Sequence, residues 1–563
     1  MIIEALPPAL IMILAGLVLP LFSEQARKPI AVLSPLVALW AVWQIPNGPM
    51  MFAPFLDYTL IPVKGDSVGR LFATVFTLMG FAGGVFALKQ PRVMELSAAL
   101  IYSGGAVGCA FAGDLITLFI FWEIMALAST AVIWASDQSG AKSAGFRYVL
   151  VHLFGGVVLM AGITAHVLTT GSVEFVAMKA DSVGTWLILI GFLVNAGAPP
   201  FSAWLADAYP EGSFSGTVFL SAFTTKTAVM VLLKGFPGES ILIWVGLYMV
   251  FYGIIYALLE NDMRRILSYS IINQVGFMVC GIGIGTDMAL NGAAAHAFAH
   301  IIYKGLLLMS AGSVLMMTGG RRKCTDLGGL FQTMPLTTIC GTIGAFAISA
   351  FPLTSGFVTK SMIAQGAADE HMVFVWSCLA AASAGVFLHA GIKFPWFVFF
   401  QKDRGLRPSD PPGNMRLAMI FMSALCIGIG IWPEPLYAIL PFKVDYAAYT
   451  GAHLVSQLQL LLFAGLAFFV MLPLMKRTET ISLDFDWFYR RFVVAIAGEF
   501  RTRGGAFRHN ILGYASSGIE KLILRLEKTH GPKGLLGRPW STSLSVLSVT
   551  VLLCVYLLLY YSH

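Results

Sequence analysis

The sequence predicts an all-α integral membrane protein with about 14–16 transmembrane helices. Hydrophobic residues make up 57% of the chain and charged residues only 12%, whereas a soluble domain carries about 25% charged residues. The apolar residues also fall in long blocks, and a helix needs roughly 20 of them to cross a bilayer. A soluble protein with a single core of this size is excluded, because soluble cores split into domains well before this length.

The apolar blocks follow one another along most of the chain. They lie at 6–23, 31–47, 70–88, 94–111, 114–135, 145–169, 184–203, 214–234, 240–260, 264–285, 289–317, 334–363, 372–400, 414–432, 454–474 and 543–560. The first block has no basic region before it and no clear cleavage site, so we expect a retained helix and not a signal peptide.

The loops between the blocks predict how the chain crosses the membrane. The odd-numbered loops carry Arg27 and Lys28; Lys89 and Arg92; Lys142 and Arg147; Arg264 and Arg265; Arg321, Arg322 and Lys323; Lys402, Arg404, Arg407 and Arg416; and Lys476 and Arg477. The loop at 206–213 is the exception, and the even-numbered loops carry fewer basic residues, offset by acidic ones. Because basic loops stay in the cytoplasm, we expect a multi-pass protein of the bacterial inner (cytoplasmic) membrane with its N-terminus outside.

Two of the blocks are interrupted by proline and glycine. The interruptions lie at 195–201 (NAGAPPF) and at 351–357 (FPLTSGF). Proline kinks a helix and removes a backbone donor, and the freed groups must be satisfied by protein or by water in a cavity. Two broken helices at comparable places in two halves predict an internal repeat with a transport route at each break. Taken alone, each interruption is also compatible with an ordinary proline kink.

The C-terminal part differs in kind, because residues 476–540 mix basic, acidic and apolar residues. Within it, 519–528 (IEKLILRLEK) has apolar residues at helical spacing, which predicts an amphipathic helix along the cytoplasmic face or against a neighbouring protein of the same complex. We therefore divide the chain into N-terminal helices (1–94), a core (95–400), further core helices (401–475), the amphipathic segment (476–540) and a last transmembrane helix (541–563).

Two charged residues, Glu123 and Lys226, lie inside apolar blocks. A charge at the centre of a membrane helix costs at least about 2.5–3.5 kcal/mol. Burial disfavours the charged form of each side chain, while a nearby opposite charge favours it. That competition can make either group a switchable proton carrier. A purely structural ion pair is the alternative.

Further titratable residues follow in the second half of the core. His296, His300 and Lys304 recur at every fourth position, which places them on one helix face and suits a proton relay. Lys360 follows the second break, and His389 and Lys393 lie four residues apart in another block. Lys360 and Lys393 could instead lie at helix ends, with their charged heads reaching water.

Other chemistries have weaker support. The spacing of His296 and His300 would allow a metal ion, but no cysteine or second acidic ligand lies near them, and none of the scattered cysteines forms a Cys-x-x-Cys pair. We expect no metal site and no cofactor. The net charge of +7 resides in the short loops, so we expect the lipid bilayer, and no nucleic acid, as the surroundings. His152 and His166 are typical of satisfied core histidines.

Six segments, in this order, resemble the antiporter-like membrane subunits of respiratory complex I, membrane-bound hydrogenases and multisubunit cation/proton antiporters of the Mrp type. They are 121–123 (FWE), 199–208 (PPFSAWLADA), 224–226 (TTK), 261–270 (NDMRRILSYS), 296–304 (HAFAHIIYK) and 356–360 (GFVTK). The resemblance covers roughly 95–400, is greatest to the Mrp type, and implies two inverted five-helix repeats with flanking helices. The tail is similar to the lateral arm of the most distal antiporter-like protein of complex I, although it is shorter here.

The resemblance also implies roles for single residues. Glu123 matches a glutamate that pairs with a lysine on the first broken helix, and Lys226 matches the lysine of the next helix. His300 and Lys304 match the central relay, and Lys360 matches the terminal lysine of the second half-channel.

Asn195 departs from this pattern, because the family usually has a lysine there. A neutral amide forms hydrogen bonds but carries no charge. Three alternatives follow: Lys226 takes over as the partner of Glu123, water bridges at Asn195, or the first half-channel is altered or silent.

We therefore expect a proton-translocating subunit of a multisubunit antiporter, which exchanges protons for sodium or potassium beside other membrane subunits. The relay would consist of Glu123, Lys226, His296, His300, Lys304 and Lys360, with Asn195, His389 and Lys393 as secondary residues. The alternatives are membership of a redox-driven pump, which alone would make the complex a translocating enzyme, a partner in inorganic-carbon uptake, and a non-conducting scaffold.

Overall fold

The computed structural model describes residues 6–473, 483–532, 534, 537 and 540–562. Lys476 and Arg477, and with them the first residues of the predicted segment 476–540, lie outside this range. The chain forms two compact units, Met1–Asp486 and Trp487–His563.

The larger unit consists almost entirely of helices. Within its described residues they are α1 (Pro8–Val18), α2 (Glu24–Val42), α3 (Ser67–Phe86), α4 (Val93–Phe111), α5 (Leu115–Trp134), α6 (Ala141–Thr170), α7 (Val183–Ala196), α8 (Trp204–Ala208), α9 (Gly216–Leu220), α10 (Thr224–Gly235), α11 (Ile241–Leu259), α12 (Met263–Ile284), α13 (Asp287–Met317), α14 (Pro335–Ile348), α15 (Ser355–Asp369), α16 (Val373–Val386), α17 (Gly413–Ile431), α18 (Glu434–Tyr437) and α19 (Gly451–Val470).

Among the described residues, twelve helices are long and apolar enough to cross a membrane, and the shorter apolar helices are Pro8–Leu21, Val183–Ala196 and Pro335–Ile348. This confirms the predicted all-α, multi-pass membrane protein. Helices α10, α12 and α13 are buried on all sides and form the centre of the unit, whereas α5 and α6 leave one apolar side exposed.

One hairpin was not predicted. Its strands are β1 (Gly48–Phe55) and β2 (Tyr58–Gly65), which pair in antiparallel fashion. The main-chain nitrogen of Ile61 in β2 donates to the Asp114 carboxylate over 2.7 Å. Asp114 also caps α5 by accepting from the nitrogen of Thr117, so the hairpin is fixed to the start of the helix that carries Glu123.

Both predicted helix breaks are present. Helix α7 ends at Ala196, followed by Gly197 with φ of +79°, a conformation that glycine adopts without steric penalty. The indole of Trp204 donates to the main-chain oxygen of Val194 over 3.0 Å. At the second break, between α14 and α15, the Gln457 amide donates to the oxygens of Ser349 and Ala350. At both breaks, side chains thus donate hydrogen bonds to main-chain oxygens that have no partner within a continuous helix.

Two further irregularities lie in blocks that were expected to be continuous helices. Residues 221–223 separate α9 from α10 without any proline or glycine. Helix α16 continues as π-helical turns at Phe387–Lys393 and Trp396–Phe400, and such turns are frequent at functional sites. The first π-helical turn carries His389 and Lys393.

The smaller unit contains a π-helical turn at Phe488–Phe492, helix α20 (Val493–His530) and helix α21 (Thr542–Tyr561). Helix α20 occupies much of the predicted amphipathic segment, and α21 is the predicted last helix. The apolar residues of α20 with described side chains, such as Ile519, Leu522 and Leu526, are exposed.

Candidate functional site

Helix α13 carries the centre of the site. His296, His300 and Lys304 are all fully buried on this 31-residue helix. Their spacing of four residues places them on one face, as the sequence predicted. The ring centroids of His296 and His300 are 6.2 Å apart, a separation that one water molecule can bridge.

His296 links α13 to its neighbours. Its Nε2 atom lies 3.0 Å from the side-chain oxygen of Gln274 on α12. Because that oxygen only accepts, Nε2 carries the hydrogen. The Nδ1 atom lies 3.4 Å from the hydroxyl of Thr359 on α15, next to Lys360. The imidazole therefore lies between the central helix and the helix after the second break.

The two neighbouring residues of the row differ in their bonding. Neither ring nitrogen of His300 has a hydrogen-bond partner among the residues that the structure describes. The Lys304 ammonium group donates to the Ser270 hydroxyl over 2.8 Å. A buried imidazole without fixed partners is free to exchange a proton with water.

Lys226 lies at the start of α10 and is fully buried. Its ammonium group donates to the main-chain oxygen of Ser221 over 2.6 Å and to the Thr225 hydroxyl over 3.1 Å. Helix α10 packs against α13, which carries His300 and Lys304. The structure thus brings Lys226 to the α13 row and not into a pair with Glu123.

Lys360 is 3% exposed, and its ammonium group has no hydrogen-bond partner within the described part of the chain. It lies 4.1 Å from the ring centroid of Phe277, a cation–π contact. Both residues line a cavity of about 800 Å³, whose other polar residues include Asp369, Asp445 and His453. This cavity can give Lys360 contact with water.

His389 and Lys393 are both buried. His389 Nδ1 donates to the main-chain oxygen of Gly385 over 2.8 Å. Lys393 donates to the main-chain oxygens of Ala257, Leu258 and Glu260 over 2.5–2.7 Å. A cation at the C-terminal end of α11 is favourable, so helix capping accounts for Lys393.

Glu123 lies apart from these groups, half-buried on α5. From the described residues, no hydrogen bond reaches its buried Oε1 atom, and none reaches the side-chain oxygen of Asn195. Of the three alternatives for Asn195, a direct Glu123–Lys226 pair is therefore not formed in this structure.

Sequence reasoning missed Glu95, and it interpreted His152 as a satisfied core histidine. Glu95, inside α4, accepts from Gln90, Ser213 and Ser215; a single carboxylate in an apolar block was its available signal. His152 on α6 stacks on the Tyr148 ring at 3.9 Å, and Tyr148 in turn donates to Ser129.

Several residues of the sequence motifs have structural roles. The Arg147 guanidinium donates twice to the Asp207 carboxylate, over 2.6 and 2.8 Å, and so fixes α8 to α6. Buried Arg264 donates to the main-chain oxygens of Pro210, Gly212 and Ser213. Among the described residues, no three His, Cys, Asp or Glu side chains are grouped to hold a metal ion.

The arrangement is a buried row of nitrogen bases with hydroxyl and amide groups between them. Lys304, His300 and His296 follow one another along α13, Lys226 lies on the neighbouring helix α10, and Lys360 follows Thr359 beside His296. Each of these side chains can bind or release a proton at its nitrogen atom, and no other covalent bond changes. Lowered dielectric strengthens the influence of one charge on the next, so protonation at one member affects its neighbours.

Known proteins resemble this chain in sequence and in fold. The family profile described as "NADH:quinone oxidoreductase/Mrp antiporter, TM" matches residues 112–386. The chain is 28% identical over 419 residues to one of the Na(+)/H(+) antiporter subunits of Alkalihalophilus pseudofirmus, and the match covers 70% of this chain and 83% of that protein. Over residues 112–386 the chain is therefore similar to the NADH:quinone oxidoreductase/Mrp antiporter family.

In other relatives, the match covers only part of the relative's own length. The chain is 28% identical over 408 residues to a probable K(+)/H(+) antiporter protein of Rhizobium meliloti, which is 67% of this chain but 40% of that protein. A chain of the Mrp complex from Dietzia sp. has the same fold, with a TM-score of 0.76 at 19% identity, and the match covers 91% of this chain and 62% of that chain.

Proposed function

We propose that this chain is the proton-translocating subunit of a multisubunit Na+/H+ antiporter of the Mrp type, comparable to its Alkalihalophilus pseudofirmus relative. The row of buried bases on α10, α13 and α15 carries the proposal. Such groups are rare inside membrane helices and mark proton routes. The match to the family profile supports the same assignment.

In this mechanism the proton moves between Glu123 and Lys226 and along Lys304, His300, His296 and Lys360, by way of hydroxyl groups and water. A proton that arrives at one base repels a proton on the next, and hydration of the Lys360 cavity connects the row to one side of the membrane. The charge pattern of the loops supports the bacterial inner membrane with the N-terminus outside. We place the exchanged cation, Na+ or K+, at other subunits of the complex.

Everted membrane vesicles test this function. Addition of Na+ or K+ to energised vesicles that contain the complete complex should release the stored pH gradient, which a fluorescent amine reports. The variants Glu123→Gln and Lys360→Ala should lose this response, while Lys443→Ala, in an exposed loop, should keep it. An unchanged response in both core variants would favour a non-conducting scaffold.

A redox-driven pump is the second candidate, because the family description also includes NADH:quinone oxidoreductase. The antiporter and the redox-driven pump differ in the energy source that drives proton movement. An antiporter moves protons when only a cation gradient is supplied, whereas a redox pump needs an electron donor and an iron–sulfur protein in the purified complex. Iron–sulfur absorbance in the complex, with no response to cations, would support the redox candidate.

A further inference from the structure

Three buried acceptors near the first helix break have no protein donor. They are Glu123 Oε1, Asn195 Oδ1 and His152 Nε2, and no described residue gives any of them a hydrogen bond. His152 is 1% exposed and Asn195 3%. His152 Nδ1 lies 2.9 Å from the main-chain oxygen of Tyr148. Because that oxygen only accepts, Nδ1 carries the hydrogen and Nε2 of the neutral ring is an acceptor.

Helix α6 carries His152 and lies against the other two acceptors. His152, Gly155 and Gly156 share a face, since the glycines follow the histidine by three and four residues. A methyl group on Gly156 would overlap Glu123 Oε1, and one on Gly155 would lie 3.8 Å from Asn195 Oδ1. The two glycines thus leave room for a carboxylate from α5 and an amide from α7, one turn away from His152.

The charged groups around this place do not supply the missing donor. Arg147 on α6 is bonded to Asp207 on α8, and α7 carries no charged residue. The ring of His152 contacts the ring of Trp204, which in turn contacts the rings of Tyr148 and Tyr209. The Tyr148 hydroxyl donates to Ser129. A buried polar group without a hydrogen bond is destabilising, so the site favours water or a bound proton.

We propose that His152 is the protonatable partner of Glu123, joined to it by water held at Asn195. In the transfer step the O–H bond of the Glu123 carboxyl group breaks, and the proton passes through water to form an N–H bond at His152 Nε2. The products are a carboxylate and an imidazolium, and the reverse step restores the neutral pair. His152 then provides the positive charge that Asn195 lacks. This inference rests on the proposed function, because it places a proton step in the first half of the route.

A chain of hydroxyls leads from His152 towards Lys226. The Tyr148 ring stacks on His152, and its hydroxyl lies 3.4 Å from Thr224 Oγ1. Thr224, which precedes Lys226 by two residues on α10, is also hydrogen-bonded to the Tyr102 hydroxyl. In the proposed route, reorientation of these hydroxyls connects the Glu123–His152 pair to the central row.

The test combines His152→Gln with Asn195→Lys in the complete complex. We expect His152→Gln to lower cation-driven proton flux by roughly 10²-fold, and the double variant His152→Gln/Asn195→Lys to regain most of it, because the lysine restores a positive partner. His166→Gln, on the same helix, is the matched control and should retain the flux. A merely structural role for His152 would not be rescued by a charge at position 195.

Infrared difference spectra give a second readout that needs no transport. The carboxyl band of Glu123, identified by its loss in Glu123→Gln, should shift in His152→Gln, and Glu123→Gln should in turn alter an imidazole band of the otherwise unchanged complex. The proposal is overturned if both bands are independent of each other, or if His152→Gln keeps full flux while Glu123→Gln loses it. In the latter case the proposed function stands. If His152→Gln, Glu123→Gln and Lys360→Ala all keep full flux, the proposed function fails as well.

Discussion

The Lys226 ammonium group lies 2.6 Å from the main-chain oxygen of Ser221. This oxygen belongs to the interruption between α9 and α10, so the lysine is bonded to the backbone break that precedes it. A charge-assisted hydrogen bond is roughly twice as strong as a neutral one. Loss of the proton from Lys226 would therefore weaken the contact that fixes this break, which couples its charge to local structure.

Replacement of Lys226 by methionine should stop proton movement, because the side chain keeps its length but loses its proton. We expect cation-driven flux in vesicles to fall by roughly 10²-fold. Lys443→Met, in an exposed loop, is the control. Flux at the wild-type level in Lys226→Met would remove this residue from the route.

A methyl group at position 156 should displace the Glu123 carboxylate. In Gly156→Ala the new Cβ would overlap Oε1 of Glu123, and contacts that tight force the neighbour to move. We expect flux to fall as in Glu123→Gln, with the charge of the chain unchanged. Gly428→Ala, on α17 with nothing within 4 Å of the new Cβ, should behave as wild type; equal flux in both glycine variants would show that the carboxylate position is unimportant.

Lys393 should prove to be a structural residue. Lys393→Met removes the donor to three main-chain oxygens at the end of α11, which should lower the free energy of unfolding by about 1–3 kcal/mol. Thermal unfolding of the detergent-solubilised complex measures this. Flux per folded complex should persist, and a variant with normal stability but no flux would instead make Lys393 a proton carrier.

Separation of α8 from α6 should destabilise the first half of the core. Asp207→Asn leaves the Arg147 guanidinium without its carboxylate, and removal of one partner of a buried pair costs about 3–5 kcal/mol. The Arg147 side chain is 23% exposed, so solvent screens part of this cost. We therefore expect the free energy of unfolding to fall by about 2–3 kcal/mol. Chemical or thermal unfolding checks the value, and the double variant Arg147→Met/Asp207→Leu should recover part of the loss.

Some of these features could be predicted from the sequence because they depend on local rules. Proline and glycine mark the breaks near Asn195 and Phe351, and helical periodicity alone places His296, His300 and Lys304 on one face. Length and apolar content suffice for the transmembrane helices.

Other features depend on contacts between distant segments, or on sequence without a marker. The interruption at 221–223 contains no proline or glycine, and the partner of Lys226 follows from that interruption. The importance of His152 depends on α5 and α7 both meeting α6, which no spacing in the sequence reveals. The hairpin formed by β1 and β2 lies in what the sequence presents only as a loop between two apolar blocks.

The measurement that tests the central claim most directly is the initial rate of proton movement driven by a Na+ or K+ gradient, in proteoliposomes that contain the purified complete complex. Lys304→Met removes one member of the buried row, and Lys443→Met removes a lysine outside it. We predict that Lys304→Met lowers the rate by roughly 10²-fold while Lys443→Met leaves it unchanged. A rate in Lys304→Met equal to that of the wild type would contradict the account of the buried row as the proton route.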